Sequence, residues 1–219
     1  MHRNAVIAES HGEARDIASV RDRILDTATD LFYQEGVRAV GVDLIVERSG
    51  VAKTSLYRHF RTKDDLVVAM LERDDVGYWS HWDRVAADTK EDAEQELKAQ
   101  VEWIALDIAE PKYRGCPFLN VATEFPAPDH PARAVAVRHK SELRRRLLGL
   151  TKRLGVEKPA ELADQLVLVI DGAYVNGQLI RQKGAFHNLV SATLALLSSS
   201  GAKTRRSNRD FVQVKGIRR

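Results

Sequence analysis

The chain is predicted to be all-α, with three short helices first and longer ones after, and three observations predict it. Apolar residues recur at three- and four-residue spacing from Ile24 to Leu197, the period of a helix with one buried face. Strand-type alternation does not rise above noise, and no stretch repeats another. Gly36, Gly50, Pro126, Pro128 and Pro131 stand at the ends of periodic stretches, where caps and turns use them.

Residues 1–18 carry no helical period and are read as a disordered arm. Arg21 to Gln34 then places Ile24, Leu25, Ala28, Leu31 and Phe32 on one stripe, and Gly36 suits the cap that ends it. A short helix over about Val42–Ser49 turns Val42, Ile45 and Val46 inward, and Gly50 closes it because the turn to the next helix calls for positive φ. The third helix spans about Lys53–Phe60. Thr62, with Asp65 three residues on, makes a capping box for the fourth, whose inner stripe is Leu66, Val67, Met70 and Leu71. A break near 87–90 precedes a helix over about Asp92–Ala109. After Pro111 there is room for one short helix around Phe118–Glu124. Pro131 opens the next, to about 154, and two more follow at about Pro159–Gln182 and Ala185–Ser198. Ser198–Ser200 and the basic end are read as a frayed tail.

Composition narrows the classes. The 219 residues suffice for one large domain or a small one fused to a medium one, and 44% apolar with 30% charged is the balance of a globular chain. The longest apolar run, Leu166–Ile170, is far short of a bilayer span. One cysteine, Cys116, leaves no internal disulfide, and the mixed, polar start is no leader, so a cytoplasmic protein is expected. The net charge of +3 conceals a local +6 over residues 201–219 and hence about −3 before them. Positive charge is local, which argues against a general coating of nucleic acid.

The stretch RSGVAKTSLYRHFRTKDDL, residues 48–66, gathers Arg48, Lys53, Arg58, Arg61 and Lys63 with no acid among them. At about 100° per residue, Leu56 and Phe60 share an inner face, and Thr54, Tyr57, Arg58 and Arg61 share the opposite one. Ser55 and His59 flank that outer face. Hydroxyl and guanidinium groups read major-groove edges, while Tyr, Lys and Ser hold phosphates. Two short helices about a glycine turn, the second carrying such a face, make a helix-turn-helix over about 41–60. A merely solvated basic face fits the same wheel.

Residues 23–71 resemble the DNA-binding domain of the TetR/AcrR family of bacterial regulators. The likeness lies in the LF…G ending of the first helix, SGV at 49–51, LYRHF at 56–60, and the spacing from Lys63 to Leu66. It implies a helix-turn-helix DNA-binding domain over 19–66 and a larger helical ligand-binding and dimerisation domain over 67–200, while the basic end over 201–219 is read from its composition as a disordered tail. It also implies a homodimer reading a palindromic operator on double-stranded DNA. Carried over, Tyr57 and His59 touch phosphates, Thr54, Ser55 and Arg58 lie at the groove, and Lys63 anchors the edge, with Arg48 and Lys53 beside them. Val40 and Gly41 depart from the family's Thr or Ser before the second helix, Val46 from its Ala, and Ala52 from its Ser.

The family's dimers pair their last two long helices. Here the candidates are Leu166, Val169, Ala173, Gly177, Phe186, Leu189, Val190 and Leu194, with Gly172, Ala173 and Gly177 permitting close approach. A central helix of a monomeric core would look the same. The family's second domain also encloses a small-molecule effector, for which Trp103, Leu106, Tyr113, Phe118, Asn120, Phe125, His139 and Tyr174 supply aromatic walls and polar groups. Each of these alone is more readily a core residue than a ligand contact, and Trp79, Trp82 and Trp103 are alternatively anchors between the two domains. The resemblance implies a repressor released by its effector, the fourth helix serving as lever. The rivals are a non-specific architectural DNA-binding protein and an enzyme. Against the enzyme, the seven histidines are scattered without metal-ligand spacing, Cys116 has no base beside it in sequence, and no phosphate loop or nucleophile elbow occurs. No cofactor and no metal are expected.

Overall fold

The computed structural model describes residues 19–89, 91–180 and 185–201; the arm read over 1–18 and the tail beyond residue 201 lie outside them. Among the described residues the chain forms nine helices and no strand. They are α1 Val20–Glu35, α2 Val42–Ser49, α3 Lys53–His59, α4 Lys63–Asp88, α5 Ala93–Ala109, α6 Pro117–Glu124, α7 Pro131–Arg153, α8 Pro159–Leu179 and α9 Ala185–Ser199. The helix expected to reach Gln182 stops at Leu179, with Ile180 as its cap. The serine run is not frayed: Ser198 and Ser199 belong to α9, and the Ser199 and Ser200 hydroxyls donate back to Leu196 and Leu197 carbonyls.

The first three helices pack around Ile24, Leu25, Ala28, Phe32, Ile45, Leu56 and Phe60, all buried. Gly50 ends α2 at φ 64°, a left-handed conformation in which a side chain would be strained. The Thr62 hydroxyl accepts from the Asp65 N–H and the Asp65 carboxylate from the Thr62 N–H, each at 3.0 Å, so α4 begins in a full capping box. By contrast α2 and α3 start at Gly41 and Ala52 with no side-chain cap.

In the larger part, α7 lies between α4 and α8, and α5 packs on α8 and α9. Although α7 is rich in Arg and Lys, much of that charge is paired with acids of the same chain. Arg138 pairs with Glu72 at 3.6 Å, Lys140 with Asp171 and Arg144 with Asp164 at 2.5 Å, and Arg153 with the buried Glu96 at 2.6 Å. Arg146 pairs with Asp83 and lies over the Trp79 ring. A basic helix met by acids from α4, α5 and α8 is a packing element. The tryptophans are likewise not anchors between two domains: Trp79, Trp82 and Trp103 gather around Tyr78 inside the larger part, with ring centroids 4.8 Å, 6.4 Å and 4.8 Å from it.

Candidate nucleic-acid interface

Leu56 and Phe60 seat α3 on the core, leaving Thr54, Arg58 and His59 exposed, Tyr57 44% exposed, and Ser55 half-buried. The split between inner and outer faces is the one the wheel gave. Arg48, at the last turn of α2, is also exposed. The surface is thus an uncovered strip of hydroxyl, phenol, imidazole and guanidinium groups on a short rigid helix, able to hydrogen-bond base edges and phosphates.

Two cations stand differently from the rest. Lys53 meets Asp43 of α2 at 2.6 Å, and the hydrogen bond its ammonium donates to that carboxylate, then the carboxylate's charge, raises the ammonium pKa. The sequence stretch hid this acid because it lies ten positions away. Lys63 is half-buried with its ammonium 5.9 Å from the Phe32 ring; burial lowers its pKa, opposed by the charges of Glu124 and Asp64. A third cation, missed in the sequence, supports the turn. The Arg23 guanidinium donates to the carbonyls of Ser49 at 2.8 Å and Gly50 at 3.5 Å, tying α1 to the turn that sets the angle of α3. Nothing local marks it, since its partners lie 26 and 27 residues on.

Of the effector candidates, five converge. His139 is buried, bonds Asp75 at 2.7 Å, and stacks on Phe118 at 3.6 Å with planes 6° apart. The Tyr113 hydroxyl donates to the Tyr174 carbonyl at 3.1 Å, and the Tyr78 and Tyr174 hydroxyls are 3.5 Å apart. Burial pushes the Tyr174 phenol well up, with Tyr78 adding to it. Trp103 is half-buried, against Tyr78 and stacked on His81 at 4.1 Å. The other three stand apart. Leu106 is 60% exposed, Asn120 donates to the Arg114 carbonyl at 2.8 Å, and Phe125 stacks on His130. His81, which the sequence reading passed over, belongs with the group. Its Nδ1 is buried without a hydrogen-bond partner among the described residues, and burial, then Arg84, lowers its pKa, favouring the neutral ring. Among the described residues no cluster of three or more His, Cys, Asp or Glu is placed to hold a metal ion.

The dimer candidates divide by face. Leu166 and Leu189 are buried in the protomer itself, and so is Gly177, where a Cβ would come within 2.2 Å of Ile108 Cγ2. The close approach that Gly177 permits is therefore to α5 of the same chain, a correction to its expected place between protomers. Val169, Ala173, Val190 and Leu194 are half-buried. The side chain of Phe186 lies outside the described residues. Leu168, Val175 and Leu179 are 73%, 45% and 74% exposed, so the outward apolar face of α8 is carried by residues the sequence reading did not pick. Gly172 has open space beside it, and Gly172, Ala173 and Asn176 border a groove of about 400 Å³ between α8 and α9.

Among known families, residues 24–70 match that of the bacterial regulatory proteins, tetR family. The whole fold is similar to a TetR-family transcriptional regulator from Streptomyces coelicolor, with TM-score 0.80 and 30% identity over 83% of this chain and 95% of that one. A regulator of the same kind from Streptomyces avermitilis gives 0.74 and 29%, covering 84% and 99%. The Escherichia coli HTH-type transcriptional regulator YjdC is 26% identical over 154 residues, 69% of this chain and 80% of its own. The activator FasR of Mycolicibacterium smegmatis is 39% identical over 82 residues, 37% of each chain.

Proposed function

Since the chain belongs to the TetR family, whose members are DNA-binding transcriptional regulators and not enzymes, we propose that it is a cytoplasmic homodimeric repressor that leaves its operator when a small molecule binds. The observation that carries the reading is the uncovered outer face of α3. Thr54, Ser55 and Arg58 meet base edges there, and Tyr57, His59, Arg48 and Lys63 meet phosphates, with Lys53 joining them once it leaves Asp43. The exposed Leu168, Val175 and Leu179 support pairing through α8 and α9. Such pairing sets two reading helices about 34–36 Å apart, one turn of a palindromic duplex.

The aromatic group around His139 is the effector site in this reading, its unpartnered His81 Nδ1 serving as a polar contact. An effector that fits one spacing of the reading helices better than the other shifts the equilibrium by that difference alone. The lever is α4, whose first turn carries Lys63 and whose later turns carry Tyr78, Trp79 and Trp82. Domain division falls within this helix, near 66. The likeness to an activator spans only 82 residues, and reading DNA does not by itself set the sign of control.

The test is to select bound sequences from a random duplex pool, then screen small molecules for release and transcribe a promoter bearing the selected site. A palindromic selection, release by a compound, and transcription that falls on adding protein are expected. Equal retention of all duplexes identifies an architectural protein instead, and rising transcription an activator.

A further inference from the structure

The connection between the two parts of the molecule is not confined to α4. α6 reaches back to the loop after α1, the loop that leads into the helix-turn-helix. The Glu124 carboxylate accepts from two successive backbone N–H groups of that loop, Val37 at 3.0 Å and Arg38 at 2.7 Å. Val37 is 1% exposed, so its N–H has no recourse to solvent if Glu124 leaves. A carboxylate taking two N–H groups, one on each oxygen, fixes both distance and direction.

Further interactions act at the same junction. The Tyr33 hydroxyl of α1 accepts from the Arg114 N–H at 2.9 Å and donates to the Gly115 carbonyl at 3.1 Å. The Arg38 guanidinium lies 5.7 Å from the Phe125 ring centroid. Glu124 also acts electrostatically on Lys63, favouring its charged form against burial. The opposite side of this segment ends in the aromatic group: Phe118, two turns before Glu124, is the ring stacked on His139, and Tyr113 bonds Tyr174.

We propose that Glu124 is a positioning residue for DNA reading, a carboxylate latch through which α6 holds the α1–α2 loop and so orients α3 relative to the second domain. The latch rests on the regulator reading above. It makes the position of Phe118 felt at the helix-turn-helix without any tilt of α4. Reading two half-sites at once requires both α3 helices in register, whereas holding phosphates does not. Loss of the latch therefore weakens selected binding and leaves indiscriminate binding alone.

The experiment compares Glu124→Gln with the unaltered full chain in three measurements: amide hydrogen exchange, thermal unfolding, and affinity for a selected and a scrambled duplex. The unaltered protein is expected to protect the Val37 and Arg38 amides. In Glu124→Gln these amides exchange faster and selected-duplex affinity falls, each by about tenfold, while scrambled-duplex affinity holds and the unfolding midpoint falls by no more than a few degrees. Unprotected amides in the unaltered protein overturn the latch, whether or not the variant folds. So does unchanged selected-duplex affinity in a folded variant, and so does an equal loss on both duplexes, which marks a merely structural contact. An unaltered protein that selects no sequence sinks the regulator reading instead, and the amide measurement still judges the latch.

Discussion

Arg58 leaves the outer face of α3 without a carboxylate partner among the described ion pairs, two turns of chain from the cap that starts the helix. If it reads a base, Arg58→Ala weakens selected-duplex binding by about 1–3 kcal/mol and relaxes preference at one position; a fluorescence-anisotropy titration over single-base variants checks this. Lys53 is a different case, because Asp43 already holds it. Asp43→Asn is expected to strengthen binding to every duplex alike and to steepen its salt dependence by about one counterion, measured as the slope of affinity against salt. The outward set on α3 was legible in the sequence because Leu56 and Phe60, four apart, declare the inner face. Asp43 and Arg23 were not legible as partners of that set: each acts across a turn, where linear spacing carries no sign of contact.

At the level of whole helices, the punctuation was plain. Gly50, Pro131 and the Thr62–Asp65 box end or begin helices where their chemistry requires it. The orientation of α8 was not plain. Its run Leu166–Ile170 offers no polar residue to mark the outside, and inner Leu166 and outer Leu168 look alike in sequence. Gly177 was correctly read as a point of close approach but assigned to the wrong neighbour. Gly177→Ala should drive a methyl into Ile108 and destabilise the fold by about 1–3 kcal/mol, seen as a lower denaturation midpoint with an unchanged denaturant slope. On α7, hydrogen bonds from Arg145 and then Arg146 hold the Glu142 carboxyl down at about 2, against an ordinary 4.5. A depressed carboxyl contributes stability above its unfolded pKa and loses it as pH falls through the folded one. The unfolding midpoint of Glu142→Gln should therefore lie below that of the unaltered chain near neutral pH, the gap closing between 4.5 and about 2. A gap constant across that window would assign the difference to packing.

The proposed dimer would form through a face that a single chain leaves uncovered. Leu168→Glu combined with Leu179→Glu places charges where apolar side chains stand open. The proposed dimer should then sediment as single protomers, and palindrome affinity should fall by at least about a hundredfold while each helix-turn-helix stays folded by circular dichroism. How the parts would be arranged could be anticipated from the TetR likeness of residues 23–71; how they are joined could not, because Glu124 and Val37 are 87 residues apart. One more consequence follows from the company Tyr78 keeps. All three tryptophans of the chain sit in its immediate surroundings, on α4 and α5 and not on α3. Intrinsic emission is therefore a built-in optical gauge of the second domain's interior, so the proposed entry of a compound there can be tested by quenching or colour shift, with no label attached and no duplex present.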